Sequence, residues 1–351
     1  MKTRESEALE LIERVRSKPL RFRDPRITMA HGAGGKATLT LIEGLLAPAF
    51  GLETLADAGS VDGLALTTDS FVVRPLRFPG GSIGELAVNG TVNDLAVAGA
   101  RPLALTLSLV LEEGLAACDL RAEVEAIAAA ADAAGVAVVS GDTKVVERGR
   151  CDGMYITTTG LGRLDDRARL EPGALRAGDR ILVSGTVGDH GVAIMLARGE
   201  FELAAEVASD TRPLWPAVDA LLDAAGPTLR CIRDATRGGV ASVVNELARA
   251  SGVGVVVREA AVPVRPPVAG ACEILGIDPL YVANEGKLLA FVAPDAAADA
   301  LAALRSVPGC EEAAEVGEVR AEPPGLVIVE TAFGGRRVMD LLVGDPLPRI
   351  C

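Results

Sequence analysis

A chain of 351 residues has room for two domains, and 49% hydrophobic with 24% charged content describes a folded globular protein rather than a disordered one. A formal charge of −13 and only 3% aromatic residues exclude the basic patches and stacking platforms that a nucleic-acid partner needs. They leave small anionic ligands open, because backbone N–H groups and Mg²⁺ can hold phosphate inside an acidic protein.

Residues 1–28 read as a charged leader with a helical pattern around Ala8, Leu9, Leu11 and Ile12. No secretory signal is visible in it, and no apolar run in the chain approaches the roughly 18 residues that cross a bilayer, so a cytoplasmic protein is expected. His31-Gly32-Ala33-Gly34-Gly35-Lys36 then leads into an apolar helical run from Leu39 to Leu46. A glycine loop at a helix start can cradle phosphate, which makes Gly34, Gly35 and Lys36 candidate nucleotide contacts. The Walker A pattern is absent, and a plain turn is the alternative.

Gly63 to Thr68 reads as a strand that delivers Asp69 and Ser70 at its end. Ser82-Ile83-Gly84-Glu85 has the form of a capping box opening a helix to about Ala98. Glu85, Asn89 and Asn93 fall on one face of that apolar helix, with Asp94 adjacent; the stripe meets solvent or lines a site, and the apolar remainder favours a site. Alternating leucines from Leu103 to Leu111 predict a strand, and a helix follows from about Asp119 to Ala134. Val136 to Val139 then reads as a buried strand running into Ser140-Gly141-Asp142-Thr143-Lys144. Met154 to Thr159 reads as the strand that closes this half.

The loop-like stretch from Arg163 to Asp179 marks the domain boundary. The second half predicts strands at Arg180–Val183, Leu229–Arg233, Val253–Val257, Leu288–Val292 and Leu326–Glu330. Helices are expected after His190, after Gly239 and near Ala296–Leu304, completing an α+β domain. The expected organisation is therefore a leader (1–28), an N-terminal domain (29–165), a C-terminal domain (166–332) and a tail (333–351). The six cysteines are scattered without a CxxC pair, as reduced thiols are, and two histidines leave little for a histidine-based metal site.

Asp69, Asp94, Asp142 and Asp234 each follow an apolar segment and sit among small polar residues. Such carboxylates suit Mg²⁺ shared with nucleotide phosphates, and Lys144 is placed to neutralise a phosphate or act as a base. Each aspartate alone reads more readily as a turn or cap residue, and it is the repetition of the pattern in all four that points to a site. The last four residues, Pro348-Arg349-Ile350-Cys351, put a thiol on a segment expected to be mobile.

Thr67-Thr68-Asp69-Ser70, Val92-Asn93-Asp94-Leu95-Ala96-Val97-Ala98-Gly99-Ala100-Arg101-Pro102, Gly141-Asp142-Thr143 and Asp234-Ala235-Thr236-Arg237-Gly238-Gly239 resemble the aminoimidazole-ribonucleotide synthetase (PurM-like) superfamily. Within it, the glycine loop, Gly188-Asp189-His190-Gly191, Asn284-Glu285-Gly286-Lys287 and the terminal Cys351 are similar to the hydrogenase-maturation branch. That resemblance implies a two-domain α/β (α+β) fold in a homodimer, with N-terminal sheets pairing into an intersubunit β-barrel and ATP in clefts at the interface. It implies that a carbamoyltransferase loads Cys351 and that ATP then drives dehydration of the thiocarboxamide to a thiocyanate. The cyano group would pass to an iron-carrying scaffold complex in NiFe-hydrogenase assembly.

On this footing ATP contacts are expected from Gly34, Gly35, Lys36, Asp69, Asn93, Asp94, Asp142, Thr143, His190, Asp234 and Arg237. Mg²⁺ is expected on Asp69, Asp94, Asp142 and Asp234, and catalysis from Cys351, Glu285 and Lys144. From Phe333 the tail reaches at most about 60 Å, with Gly334-Gly335 and Gly344 as expected pivots and Val338, Leu341, Leu342 and Val343 as docking residues. Three other readings stand beside this one. A selenophosphate synthetase needs a reactive Cys before the glycine-lysine loop, and none precedes Cys118. A thiamine-monophosphate kinase leaves the terminal motif unexplained. A non-catalytic ATP-binding scaffold needs neither turnover nor Cys351.

Overall fold

A computed structural model describes residues 20–52, 56–199 and 206–344. The helical pattern expected at Ala8–Ile12 and the Pro348–Cys351 motif lie outside the described residues. The first half carries β1 (Gly59–Val61), β2 (Leu64–Phe71), a separate small hairpin of β3 (Arg77–Phe78) and β4 (Gly81–Ser82), then β5 (Ala100–Glu112), β6 (Ala137–Val146) and β7 (Met154–Leu164). Its five-stranded sheet runs β1-β2-β7-β5-β6. Only β5 and β6 pair in parallel, and the helix Ala117–Ala134 makes the crossover between them.

The helix Ile83–Val97 organises the molecule. Ser82 Oγ accepts the Glu85 N–H at 3.4 Å, so the capping residue acts as the sequence predicts. Leu86, Ala87, Val88 and Val92 enter the core under the first sheet. Ala96 and Val97, one turn on, belong to the core of the second half with Leu182, Leu214 and Leu288. One buried helix therefore serves both domains.

The second half contains β8 (Arg180–Val183), β9 (Leu229–Asp234), β10 (Gly254–Arg258), β11 (Leu288–Val292), β12 (Ala314–Arg320), β13 (Val327–Glu330) and β14 (Arg336–Met339). They form a seven-stranded sheet in the order β14-β13-β10-β12-β8-β11-β9, flanked by helices that include Trp215–Ala225 and Gly239–Ser251. Two expectations are corrected here. Val136–Val139 opens not a buried strand but an exposed edge: β6 pairs on one side only, and Val139 and Val145 are 63% and 68% exposed. Gly334 and Gly335 are not a pivot. They form the turn joining β13 to β14, tied by hydrogen bonds to Thr331, so the sheet continues to Met339 into the stretch expected as tail.

Candidate functional site

A cleft of about 1290 Å³ opens between the two halves. Asp57, Asp69, Asp94, Asp234, Glu285, Arg233 and Arg237 line one part of it, and Leu39, Ile42, Pro48 and Leu247 line another. Asp69 lies within β2, which extends past the expected strand end, and Asp94 lies near the C-terminal end of the helix Ile83–Val97. Asp234 ends β9. Secondary structure thus brings three carboxylates from distant sequence positions to one wall.

One carboxylate oxygen each from Asp57, Asp94 and Asp234 lie within 4.8 Å of one another. Thr67 Oγ1 sits 2.8 Å from Asp94 Oδ2 and 2.9 Å from the Asp57 carbonyl oxygen. Arg233 Nε is 2.9 Å from Asp57 Oδ2, and an Arg237 nitrogen is 3.9 Å from Asp69 Oδ1. Burial, and then the charges of Asp234, Asp57 and Asp69, hold the Asp94 carboxyl well above the usual range. Burial and the Asp57 charge push Asp234 up to about 8. Asp57 and Asp69 are also raised, by burial, against the pull of Arg233 and Arg237 respectively. Glu285, 3% exposed, is held well above the carboxylate range by burial and by Asp69, Asp234 and Asp210. So much crowded negative charge favours a hard cation with oxygen ligands, and this donor set fits Mg²⁺.

The other expected residues sit elsewhere. Asp142, Thr143 and Lys144 lie on the exposed edge strand β6, where Lys144 Nζ is 2.6 Å from Asp142 Oδ2, and none of them lines this cleft. His190 is fully buried in the first turn of the helix Asp189–Ala197, its Nδ1 2.8 Å from Ser209 Oγ and its ring edge-on to Phe78. Asn93 is also no cleft residue. Its Nδ2 donates to the carbonyls of Arg212 (3.0 Å) and Glu285 (3.1 Å), and its Oδ1 accepts the Leu214 N–H (2.8 Å). Asn89 Nδ2 likewise donates to Thr211 Oγ1 at 3.1 Å. These two members of the polar stripe face the second domain and are buried from solvent.

The glycine loop divides between two settings. Gly34 lines a smaller cavity with Asp57, Asp234 and Arg237, and its carbonyl accepts Ser242 Oγ at 3.0 Å. Lys36, by contrast, reaches the chain's far end: its Nζ is 2.8 Å from Asp340 Oδ2 and its N–H donates to the Leu342 carbonyl at 3.0 Å. Gly35 permits that approach, since a Cβ there would lie 2.6 Å from the Leu342 oxygen. Tyr281 Oη completes the anchor by donating to the Asp340 carbonyl at 2.9 Å. Of the expected docking residues, Leu342 is held through its backbone, while Val343 is exposed.

Sequence reasoning missed Asp57 and Arg233. Asp57 stands in a short Ala-Asp-Ala-Gly stretch with no periodicity to mark it, whereas Arg233 had a readable signal in its place beside Asp234 on the same strand.

Comparison with known proteins agrees with this arrangement. Residues 54–164 match the family described as AIR synthase related protein, N-terminal domain, and residues 176–330 match its C-terminal domain. The carbamoyl dehydratase HypE of Bradyrhizobium diazoefficiens is 49% identical over 339 residues, covering 95% of this chain and 98% of the relative. A crystal structure of a HypE–HypF complex superposes with a TM-score of 0.83 at 43% identity, covering 86% of this chain and 99% of that one. A crystal structure of HypE in complex with ATP gives 0.79 at 43% identity, covering 93% and 100%.

Proposed function

The chain belongs to the AIR synthase related family and, within it, to the HypE proteins; from that membership we propose that it is an ATP-dependent carbamoyl dehydratase acting in the cytoplasm on its own Cys351. The observation that carries the reading is the cleft itself, where Asp57, Asp94 and Asp234 converge beside a buried Glu285. The ATP complex of the HypE relative supports nucleotide binding by this chain.

The reaction replaces a poor leaving group with a good one. The carbonyl oxygen of the S-linked carboxamide attacks the γ-phosphorus of ATP, the bond to the β-phosphate oxygen breaks, and ADP departs. One N–H proton is lost in forming the O-phosphorylated imidate. Removal of the second N–H proton expels phosphate and leaves the S-cyanate, so the products are thiocyanate, ADP, phosphate and a proton. Asp57, Asp94 and Asp234 would hold Mg²⁺, which supplies charge neutralisation for phosphoryl transfer. Asp69 and Arg237 face the same space and orient the nucleotide. Glu285 takes the N–H protons, a task suited to a carboxylate whose proton affinity is raised by burial and by neighbouring charge.

The anchored root supports delivery of the thiol. Cys351 follows Leu342 by nine residues, a reach of at most about 30 Å. A homodimer is part of the proposal, supported by the exposed edge and exposed valines of β6. Asp142 and Lys144 would then serve the cleft of a second copy. A HypF-like partner, read here as the carbamoyltransferase, loads the thiol, and an iron-carrying scaffold receives the cyano group; the HypE–HypF complex supports the first of these. The nucleotide half is tested by titration calorimetry. Asp94→Asn is expected to weaken Mg²⁺-dependent ATP binding at least about tenfold, and unchanged affinity would count against the cleft.

A further inference from the structure

Behind Glu285 lies an ion pair that the chemistry above does not use. The side chains of Asp210 and Lys287 are 4% and 6% exposed, and Lys287 Nζ is 3.0 Å from Asp210 Oδ2. A pair so fully withdrawn from water adds little net stability over apolar residues of the same shape, because desolvation offsets the attraction. What it touches is more telling. The other carboxylate oxygen, Asp210 Oδ1, accepts the backbone N–H of Glu285 at 3.0 Å, while Asn93 holds the Glu285 carbonyl from the opposite side. Gly286 makes the approach possible, since a Cβ there would stand 1.9 Å from the Asp210 carbonyl oxygen.

The same segment is tied to the loop that follows Asp234. The Ala235 N–H donates to the Lys287 carbonyl at 3.0 Å, and the Asn284 N–H and Nδ2 both donate to the Ala235 carbonyl, at 3.0 and 2.8 Å. Lys287 therefore steadies two neighbours at once: through its side chain the partner of Glu285, and through its backbone the residue after Asp234.

From this geometry we infer that Asp210, held by Lys287, is a positioning residue that fixes Glu285 relative to Asp234. The inference rests on the proposed role of Glu285 as the proton acceptor. It acts through placement, and a misplacement of about 1 Å in a reacting group can lower a rate about a hundredfold.

The test is single-turnover dehydration of the carbamoyl-loaded full-length protein, followed by intact mass, with ATP affinity measured alongside. Asp210→Ala is expected to slow the step about 30-fold with ATP affinity within about twofold of wild type. Asp210→Asn keeps an oxygen for the Glu285 N–H and is expected to recover most of that loss. In a Glu285→Gln background, Asp210→Ala is expected to add less than about twofold, because its effect passes through the missing carboxylate. Should Asp210→Ala fold poorly with Lys287 unpaired, Asp210→Ala/Lys287→Met removes both charges and is read in the same way. A wild-type rate for Asp210→Ala, or an equal loss in both backgrounds, overturns this inference alone. A wild-type rate for Glu285→Gln overturns the proton-acceptor reading and this inference with it.

Discussion

Asn93→Ala removes three interdomain hydrogen bonds beside the cleft. Asn93 is 1% exposed, and its amide serves the carbonyls of Arg212 and Glu285 and the N–H of Leu214. Truncation leaves three backbone groups without that partner in a place water cannot easily fill. At about 1–3 kcal/mol for each stranded group, partly recovered by relaxation, the expected loss is about 3–5 kcal/mol. That is a large fraction of the 5–15 kcal/mol or so that keeps a protein folded. Urea unfolding, followed by circular dichroism, reads it as a lower midpoint. The variant's remaining folded fraction should bind ATP with near-normal affinity, because Asn93 lies outside the cleft. A loss below about 1 kcal/mol would mean these hydrogen bonds carry little stability, and weakened ATP binding with unchanged stability would make Asn93 a ligand contact instead.

Two further outcomes follow from the site. Asp234 carries a folded pKa of about 8 against an ordinary 3.8, so the folded protein binds the proton more tightly. Its contribution is fully present below about pH 4 and is lost as pH rises through about 8, so in EDTA this carboxyl should make stability fall over that window. Asp234→Asn should flatten the fall and stabilise the metal-free protein at pH 8 by on the order of 2 kcal/mol, after allowance for relaxation. Equal pH slopes for the two proteins in thermal melts would count against it. Gly35→Ala should drive the Leu342 carbonyl away and strip hydrogen-exchange protection from the Lys36 amide by about tenfold or more. Unchanged protection would mean the anchor is not formed in solution.

The elements of both domains were largely legible, because strand and helix periodicities mark buried faces. Alternation found β5, and the capping signal at Ser82 found the start of the organising helix. The exposed β6 departs from the expectation for a physical reason: a short apolar run looks the same on an exposed edge strand as on a buried one. Asn89 and Asn93 were correctly seen as a stripe. Which surface the stripe meets depends on segment 209–214, more than a hundred residues away, and no local pattern encodes that. Asp69, Asp94 and Asp234 were found as candidates, while their assembly with Asp57 depends on how the strands and helix cross. Lys36 beside two glycines reads as a phosphate contact, yet its ammonium is taken by Asp340, a long-range pairing that local sequence cannot reveal.

The most direct test of the central claim is intact mass spectrometry of the full-length protein incubated with ATP, Mg²⁺, carbamoyl phosphate and the carbamoyltransferase. The expected result is a carbamoyl adduct on Cys351 that loses one water only when ATP is present, with the loss abolished by Asp94→Asn and strongly slowed by Glu285→Gln. A carbamoyl adduct that never dehydrates, or a cyano group formed equally well on Cys351→Ala protein, would contradict it.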